Sequence, residues 1–327
     1  MDFDLTDDQK QIKEVARELL AARSPMAKVR EAAEASRYDE RLWEEIVGLG
    51  WPGIAVAEEH GGQGLGAVEL AVLLEELGYA CAASPFFSTA VAAAVIEACG
   101  NQDQRARWLE GLSSGQLHAG LGTAELAADG EGAAVAVLID GDQAQLVVAP
   151  ETEPLETIDP TRRFARISGD GEPLSSGAVA RVHAALAAEV VGVSQRALDM
   201  TLEYVKDRKQ FGVPVGSFQA VSHRCAQMLL HTESARSTAY FAAWAAEADP
   251  ERLPEAAALA AAAAAAGGRE VTASAIQAHG GIGFTWEADV HWLYKRAQLD
   301  AGLLGGTSRH LAALARTAAA RSAVARA

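Results

Sequence analysis

Residues 277–308 read Q-A-H-G-G-I-G-F-T-W-E-A-D-V-H-W-L-Y-K-R-A-Q-L-D-A-G-L-L-G-G-T-S. A glycine cluster at Gly280, Gly281 and Gly283 interrupts a long alanine-rich helical region. A charged and aromatic helix follows, and the pair Gly305-Gly306 ends it. Two breaks around one helix leave unpaired backbone N–H groups at two defined points, where a phosphate or a ring edge can be held. The same breaks also read as ordinary helix caps and turns, and the surrounding chain has to decide.

Upstream, Glu255 to Ala278 forms an alanine-rich helix with a kink expected at Gly267-Gly268, after a loop marked by Pro250 and Pro254. Another helix runs from about Phe218 to Ala246, with Ser217 as its expected N-cap. Gly212-Val213-Pro214-Val215-Gly216 breaks the chain before it, and Ala184 to Tyr204 is one long helix. Long helices in succession make an antiparallel four-helix bundle the natural architecture. Residues 116–178 differ, being punctuated throughout by Gly and Pro. There Val135 to Ile139, the turn Asp140-Gly141-Asp142, and Gln143 to Val148 read as a β-hairpin, and Arg163 to Ser168 as a further strand. The first third is helical again. It opens on a capping box at Thr6-Asp7-Asp8-Gln9, followed by Ile12, Val15, Ala16, Leu19 and Leu20 at helical spacing. Helices are also expected around Leu42 to Leu49, Leu70 to Leu77, Ala90 to Ala98 and Gln102 to Leu112, with a turn at Trp51-Pro52-Gly53. The expected organisation is mainly α with a small β domain: helices over 1–115, a reduced β domain over 116–178, and the bundle over 179–327.

The chain of 327 residues is half hydrophobic, enough for a sizeable core, and rich in alanine with few aromatics, a helix-forming composition. Its formal net charge of -16 argues against nucleic acid or an anionic membrane as the main partner. Cys81, Cys99 and Cys225 form no CxxC pair and lie in apolar helical contexts, so they read as buried thiols of a reducing cytoplasm. Met1-Asp2-Phe3-Asp4 lacks the basic and apolar regions of a signal peptide. The longest apolar run, Ala256 to Ala266, is too short to span a bilayer.

Arg208-Lys209-Gln210-Phe211-Gly212 stands where a long helix ends. Two cations beside exposed backbone suit a pyrophosphate, and Phe211 offers a ring face to a base. They equally suit the negative end of a helix dipole. His223, His231, His279 and His291 make no metal-ligand pattern, and neither a GxSxG elbow nor a P-loop occurs. The glycine-rich loop Glu58 to Gly64 is not the GxGxxG that follows a Rossmann strand.

Taken together, several stretches resemble the acyl-CoA dehydrogenase family. Arg208 to Val215, with Phe218-Gln219-Ala220-Val221 and Ala226-Gln227-Met228 behind it, is similar to that family's R-x-Q-F-G-x-P-I…F-Q…A-D-M. Gln277 to Phe284 resembles its Q-x-H-G-G-x-G-F, Lys295-Arg296-Ala297 its R-D-A, and Gly306-Thr307-Ser308 the end of its E-G-T-S. The D-F-x-L-T-x-x-Q opening, the run from Gly61 to Gly78, and Asp159-Pro160-Thr161-Arg162 are similar as well, so the resemblance spans nearly the whole chain. It implies an N-terminal helical domain, a β domain and a C-terminal four-helix bundle. It also implies FAD, with the adenosine-pyrophosphate end held partly by a neighbouring subunit. On that resemblance Arg208, Lys209 and Gln210 meet the pyrophosphate, Phe211 counts with them as cofactor-binding, and Phe218 and Gln219 lie alongside. Gln277, Ala278, His279, Gly280 and Gly281 line the adenine-ribose end, while Thr307 and Ser308 lie near a flavin. The implied reaction is α,β-desaturation of an acyl-CoA, with a carboxylate removing the α-proton and the flavin accepting the β-hydride.

The departures from the pattern are concentrated in one place. The family's Glu falls nine residues after its arginine, which from Arg296 lands on Gly305, a residue without a side chain. The base found elsewhere in some members falls at about Val182, and the arginine beside it at His183. The T-E-P-x-A-G-S-D flavin loop is at best Gly122-Thr123-Ala124-Glu125-Leu126, and no tryptophan occurs in 116–178 to cover a flavin. Residues serving a neighbour's cofactor remain, and those building the chain's own reaction centre are eroded. The resemblance therefore points to the short subunit of a heteromeric acyl-CoA dehydrogenase, with no catalytic residue of its own. A full-length partner subunit (as a heterotetramer) or a self-dimer is implied, with an electron-transfer flavoprotein or similar acceptor. The substrate class implied is a bulky, steroid-like CoA thioester of actinobacterial lipid catabolism. Two alternatives remain open: a self-sufficient enzyme with a displaced base such as Glu125, Glu287 or Asp300, and a flavin-free helical scaffold.

Overall fold

The computed structural model describes residues 4–324, so Asp2 and Phe3 of the opening motif lie outside the described residues. Six helices come first: α1 (Asp7–Arg23), α2 (Met26–Ala35), α3 (Glu40–Gly48), α4 (Ala67–Ala80), α5 (Phe86–Cys99) and α6 (Gln102–Ser113). The capping box forms as expected: Thr6 Oγ1 accepts from Gln9 N–H, and the Gln9 side chain accepts from Thr6 N–H. Helix α4 is buried on nearly every side. It carries two adjacent glutamates into the interior. Glu75 is paired with Lys13 of α1 and with Arg236 and the hydroxyl of Tyr240, while Glu76 is paired with Lys13 and Arg17. These pairs tie α4 to both of its neighbours.

A seven-stranded sheet follows, from β1 (Ala119–Thr123), β2 (Leu126–Ala128), β3 (Val135–Asp140), β4 (Gln143–Val148), β5 (Glu151–Pro154), β6 (Ala165–Ser168) and β7 (Gly171–Pro173). Its order is β5-β6-β2-β1-β3-β4-β7, parallel only between β1 and β3. The hairpin expected at Asp140-Gly141-Asp142 is β3–β4, in register from Val135↔Val148 to Asp140↔Gln143. Strand β3 is apolar on both faces because it is central, whereas β4 alternates because one face meets solvent. The sheet has more strands than the patterning announces. β2, β5 and β7 are only three or four residues long, and β1 is interrupted by glycines.

The C-terminal helices are α7 (Ala178–Asp207), α8 (Gln219–Ala248), α9 (Leu253–His279), α10 (Val290–Leu303) and α11 (Thr307–Val324). Helices α7, α8 and α9 pack on one another, and α10 and α11 both pack along α9. Three local expectations are corrected. Ser217 does not cap α8; a 3₁₀ turn over Val215–Ser217 intervenes, and Ser217 Oγ donates to Pro214 O at 2.7 Å. Pro254 belongs to the first turn of α9, where a missing N–H costs nothing. Helix α9 runs unbroken through Gly267-Gly268. Those glycines serve close packing instead, since a Cβ on Gly268 would lie 2.5 Å from Val190 Cγ1 of α7. The α4–α7 crossing is tighter still. A Cβ on Gly192 would lie 1.8 Å from Glu75 O, and one on Gly78 2.2 Å from Glu189 O, so the two backbones meet through paired glycines. Among the described residues no helix is long and apolar enough to cross a membrane.

Candidate functional site

Helix α7 ends at Asp207, and the chain reverses through a short hairpin pairing Lys209-Gln210 with Val213-Pro214. Both turn residues have positive φ, 53° at Phe211 and 81° at Gly212. Such a turn matches the strand twist but favours Asn or Gly at its first position. Phe211 adopts it at a cost and is 95% exposed, with its ring edge-on to Phe218 at 6.2 Å. A strained backbone that displays an aromatic ring to solvent is a pointer to function. Among the described residues neither Arg208 nor Lys209 forms an ion pair.

The facing wall is the end of α9. His279 Nδ1 lies 2.8 Å from Ala275 O, which assigns the proton to Nδ1 and leaves Nε2 as an acceptor. Burial lowers its pKa from the ordinary value, only partly opposed by that carbonyl. Its ring stacks on Tyr204 of α7 at 4.4 Å. Gly280 has φ 65°, and neither Gly280 nor Gly281 has any atom near the place a Cβ would take. Their backbone therefore faces open space. Between the walls lies a cleft of about 630 Å³, lined by Arg208, Gln210, Phe211, Phe218, Ala278, His279, Gly280 and Gly281 with Tyr204, Val215, Val221 and Ile282. Two sequence stretches, within 204–221 and 278–282, thus converge on one cleft. Lys209, Gln219 and Gln277 are their immediate chain neighbours but do not line it. An adjoining cavity of about 770 Å³ shares Tyr204, Arg208 and His279 and reaches α1 and α4. There two guanidiniums lie near the Tyr79 ring, that of Arg17 at 3.5 Å from its centre and that of Arg196 at 5.2 Å. No local pattern announces this trio, which comes from three helices.

Thr307 and Ser308 stand at the other break, away from this cleft. Gly305 N–H donates to Gly302 O at 2.9 Å, Gly306 N–H to Ala301 O at 3.2 Å, and both glycines have φ near +77° (76° and 78°). That is a Schellman-type termination of α10, in which left-handed backbone satisfies the last carbonyls. The second break is therefore a helix cap, and glycine is the residue that conformation favours. Around it the chain packs upon itself. Gly122 of β1 is so close to α10 that a Cβ there would lie 3.1 Å from Leu303 Cδ2. Arg309 donates to Gly141 O at 2.6 Å. His183 and His310 are both buried and meet edge to face at 4.8 Å. Burial, reinforced by His310 and Arg309, lowers the pKa of His183 to about 3 and keeps it neutral. Glu125 is exposed and paired with Arg166. Glu287 is exposed and accepts from Thr285 Oγ1 at 3.1 Å.

Asp300 lies elsewhere again, fully buried in a cluster that joins the sheet to the helices. Arg296 of α10 donates to Asp159 Oδ2 at 2.6 Å, to Glu189 Oε1 of α7 at 2.8 Å, and to Thr161 Oγ1. Arg162 donates to Glu189 Oε1 and, at 3.0 Å, to Asp300 Oδ1, with its guanidinium over the Phe87 ring. Arg296 and Thr161 hold the Asp159 carboxyl below its ordinary value although burial pushes the other way.

Comparison with known proteins agrees with this architecture. Residues 6–116 match the family model described as acyl-CoA dehydrogenase, N-terminal domain, and residues 169–319 that described as acyl-CoA dehydrogenase, C-terminal domain. Acyl-CoA dehydrogenase IpdE2 of Mycobacterium tuberculosis is 35% identical over 314 residues, covering 91% of this chain and 93% of the relative. Among solved structures, a variant of the Tcur3481-Tcur3483 steroid ACAD superposes with TM-score 0.85 at 29% identity, over 97% of this chain and 99% of that one. The ChsE4-ChsE5 complex of Mycobacterium tuberculosis superposes with TM-score 0.87 at 24% identity, over 98% and 99%. The chain belongs to the acyl-CoA dehydrogenase family of oxidoreductases.

Proposed function

We propose that this acyl-CoA dehydrogenase family member is the subunit of a heteromeric enzyme that helps to hold a partner's FAD and does not itself abstract a proton. The observation that carries the reading is the contrast between the two glycine breaks. At the first, Arg208, which has no carboxylate partner among the described residues, faces open glycine backbone across a cleft. At the second, a glycine caps the helix at the position of the family's base. The donor set fits a dinucleotide: Arg208 supplies charge for a pyrophosphate with Lys209 beside it in the chain, the N–H groups of Gly280 and Gly281 can be approached closely, and His279 and Phe211 offer an acceptor and a ring. FAD, when bound, supplies the hydride acceptor for α,β-desaturation of an acyl-CoA. This chain's part is to bind and orient its adenosine end. Contact of Gly122 with Leu303, and of Arg309 with the β3–β4 turn, favours a second site that is closed within this chain. The placement of Glu125, Glu287 and Asp300 favours none of them as a displaced base.

The reading divides the chain at 1–115, 116–178 and 179–327 and places it in the cytoplasm with a full-length partner. An electron-transfer flavoprotein or similar acceptor would take the electrons. A bulky, steroid-like CoA thioester is the substrate class, supported by the steroid Tcur3481-Tcur3483 relative, which is itself named as a pair. The test is co-expression with a full-length homologue that carries E-G-T, followed by flavin quantitation. One FAD per pair, with this chain colourless alone, is the expected result. A yellow chain that reduces a dye with an acyl-CoA in isolation overturns it.

Gly305→Glu is a second expected result. Glutamate there must adopt a left-handed φ, which costs about 1–2 kcal/mol. The substituted chain should gain no dehydrogenase turnover and should unfold at lower denaturant; turnover by the chain alone would show that only the carboxylate was missing.

A further inference from the structure

The buried cluster between the sheet and the helices does not balance in charge. Among the described residues Asp159, Glu189 and Asp300 form ion pairs only with Arg162 and Arg296, and all five side chains are almost completely buried. The remaining charges nearby do not alter the count. Asp129 and Lys295 carry opposite signs and bear on Arg162 and Asp159 without hydrogen-bonding to the cluster. Cys81 at the end of α4 faces Arg296 with a thiol pushed up to about 12 by burial, so it stays neutral. Two carboxyl oxygens, Glu189 Oε2 and Asp300 Oδ2, are buried with no hydrogen-bond partner. They belong to the two carboxyl groups that flank the Arg162 guanidinium. An uncompensated charge in such surroundings is costly and is ordinarily removed by protonation.

We infer that the cluster holds one proton, residing on Asp300, and that docking of the sheet on α7 and α10 depends on it. The hydrogen bonds decide between the two groups. Glu189 Oε1 accepts from both guanidiniums, whereas Asp300 accepts from Arg162 alone. Asp300 therefore has the less stabilised anion. Burial, and then the charge of Glu189, pushes its pKa well above the ordinary carboxyl value, in the same direction. With the proton in place the cluster is neutral, and Asp300 Oδ2 no longer carries charge in a buried place without a hydrogen-bond partner. The arrangement makes the docking conditional on pH. The folded chain keeps a proton that the unfolded chain releases above the ordinary carboxyl pKa of about 3.9. The contribution is complete below that value and is lost progressively as pH rises towards the raised pKa of the folded state.

The test compares the full-length chain with Asp300→Asn, which keeps the shape of the protonated acid and cannot ionise. Relative to that variant, the wild-type unfolding constant should rise about tenfold per pH unit above the ordinary carboxyl pKa, until the raised pKa of the folded state is reached. Infrared spectra of the native wild type should show a protonated-carboxyl band that Asp300→Asn lacks. Amide exchange in 119–123 and 135–140 should accelerate at alkaline pH in the wild type only. Glu189→Gln is the second arm. It removes one negative charge, so the cluster balances without a proton, and both the slope and the band should disappear. Parallel pH curves for wild type and Asp300→Asn, or a native spectrum without the band, overturn the inference.

Discussion

Arg296→Ala is expected to lose about 3–5 kcal/mol of stability, the cost of leaving buried carboxylates without their cation. Urea unfolding of the purified chain measures it. The guanidinium reaches Asp159, Thr161 and Glu189 at once, so one truncation unpairs groups from the sheet connection and from α7 together. Arg296→Lys should recover only part of the loss, because an ammonium cannot reproduce the planar fork that spans these acceptors. A loss below about 1 kcal/mol, the range of exposed pairs, would show that water enters the cluster.

The second large effect concerns the cofactor. Arg208→Ala in the reconstituted complex should weaken retention of FAD about ten- to a hundredfold, as removal of a charged hydrogen bond worth about 1.5–3 kcal/mol predicts. Titration of the stripped complex with FAD measures it. Folding should be little affected, since among the described residues Arg208 has no ion-pair partner to abandon. Unchanged retention would mean that the cleft beside α9 does not serve the pyrophosphate and that Arg208 only balances the end of α7.

The sequence announces the helices because their apolar positions recur at helical spacing and several ends carry recognisable caps, as at Thr6 and Gln9. It announces the β3–β4 hairpin because Asp-Gly stands between two apolar runs. It does not announce β2, β5 or β7, which are too short for a period to show and are held by their neighbours. The candidate cleft is legible as two separate motifs, at 208–212 and 277–281, whose meeting depends on how α7 and α9 pack. Tyr204, which completes the wall by stacking on His279, stands four residues before Arg208 with no mark of its own. Asp300 illustrates the opposite difficulty. Its acidity is visible in the sequence, but its burial depends on partners more than a hundred residues away. Ser217 looks like a cap because its type suits the role; the intervening 3₁₀ turn places it one position early.

The glycine that terminates α10 also bears on how such a chain changes over evolutionary time. Once a position serves as a left-handed helix stop, a carboxylate side chain there either bears the left-handed backbone at a cost of about 1–2 kcal/mol or needs a new helix ending. Selection then has no single downhill step back to an autonomous catalyst. In the heteromer proposed above, a lineage carrying this stop would be held to its partner by local backbone geometry, even if every contact between the two subunits could be exchanged.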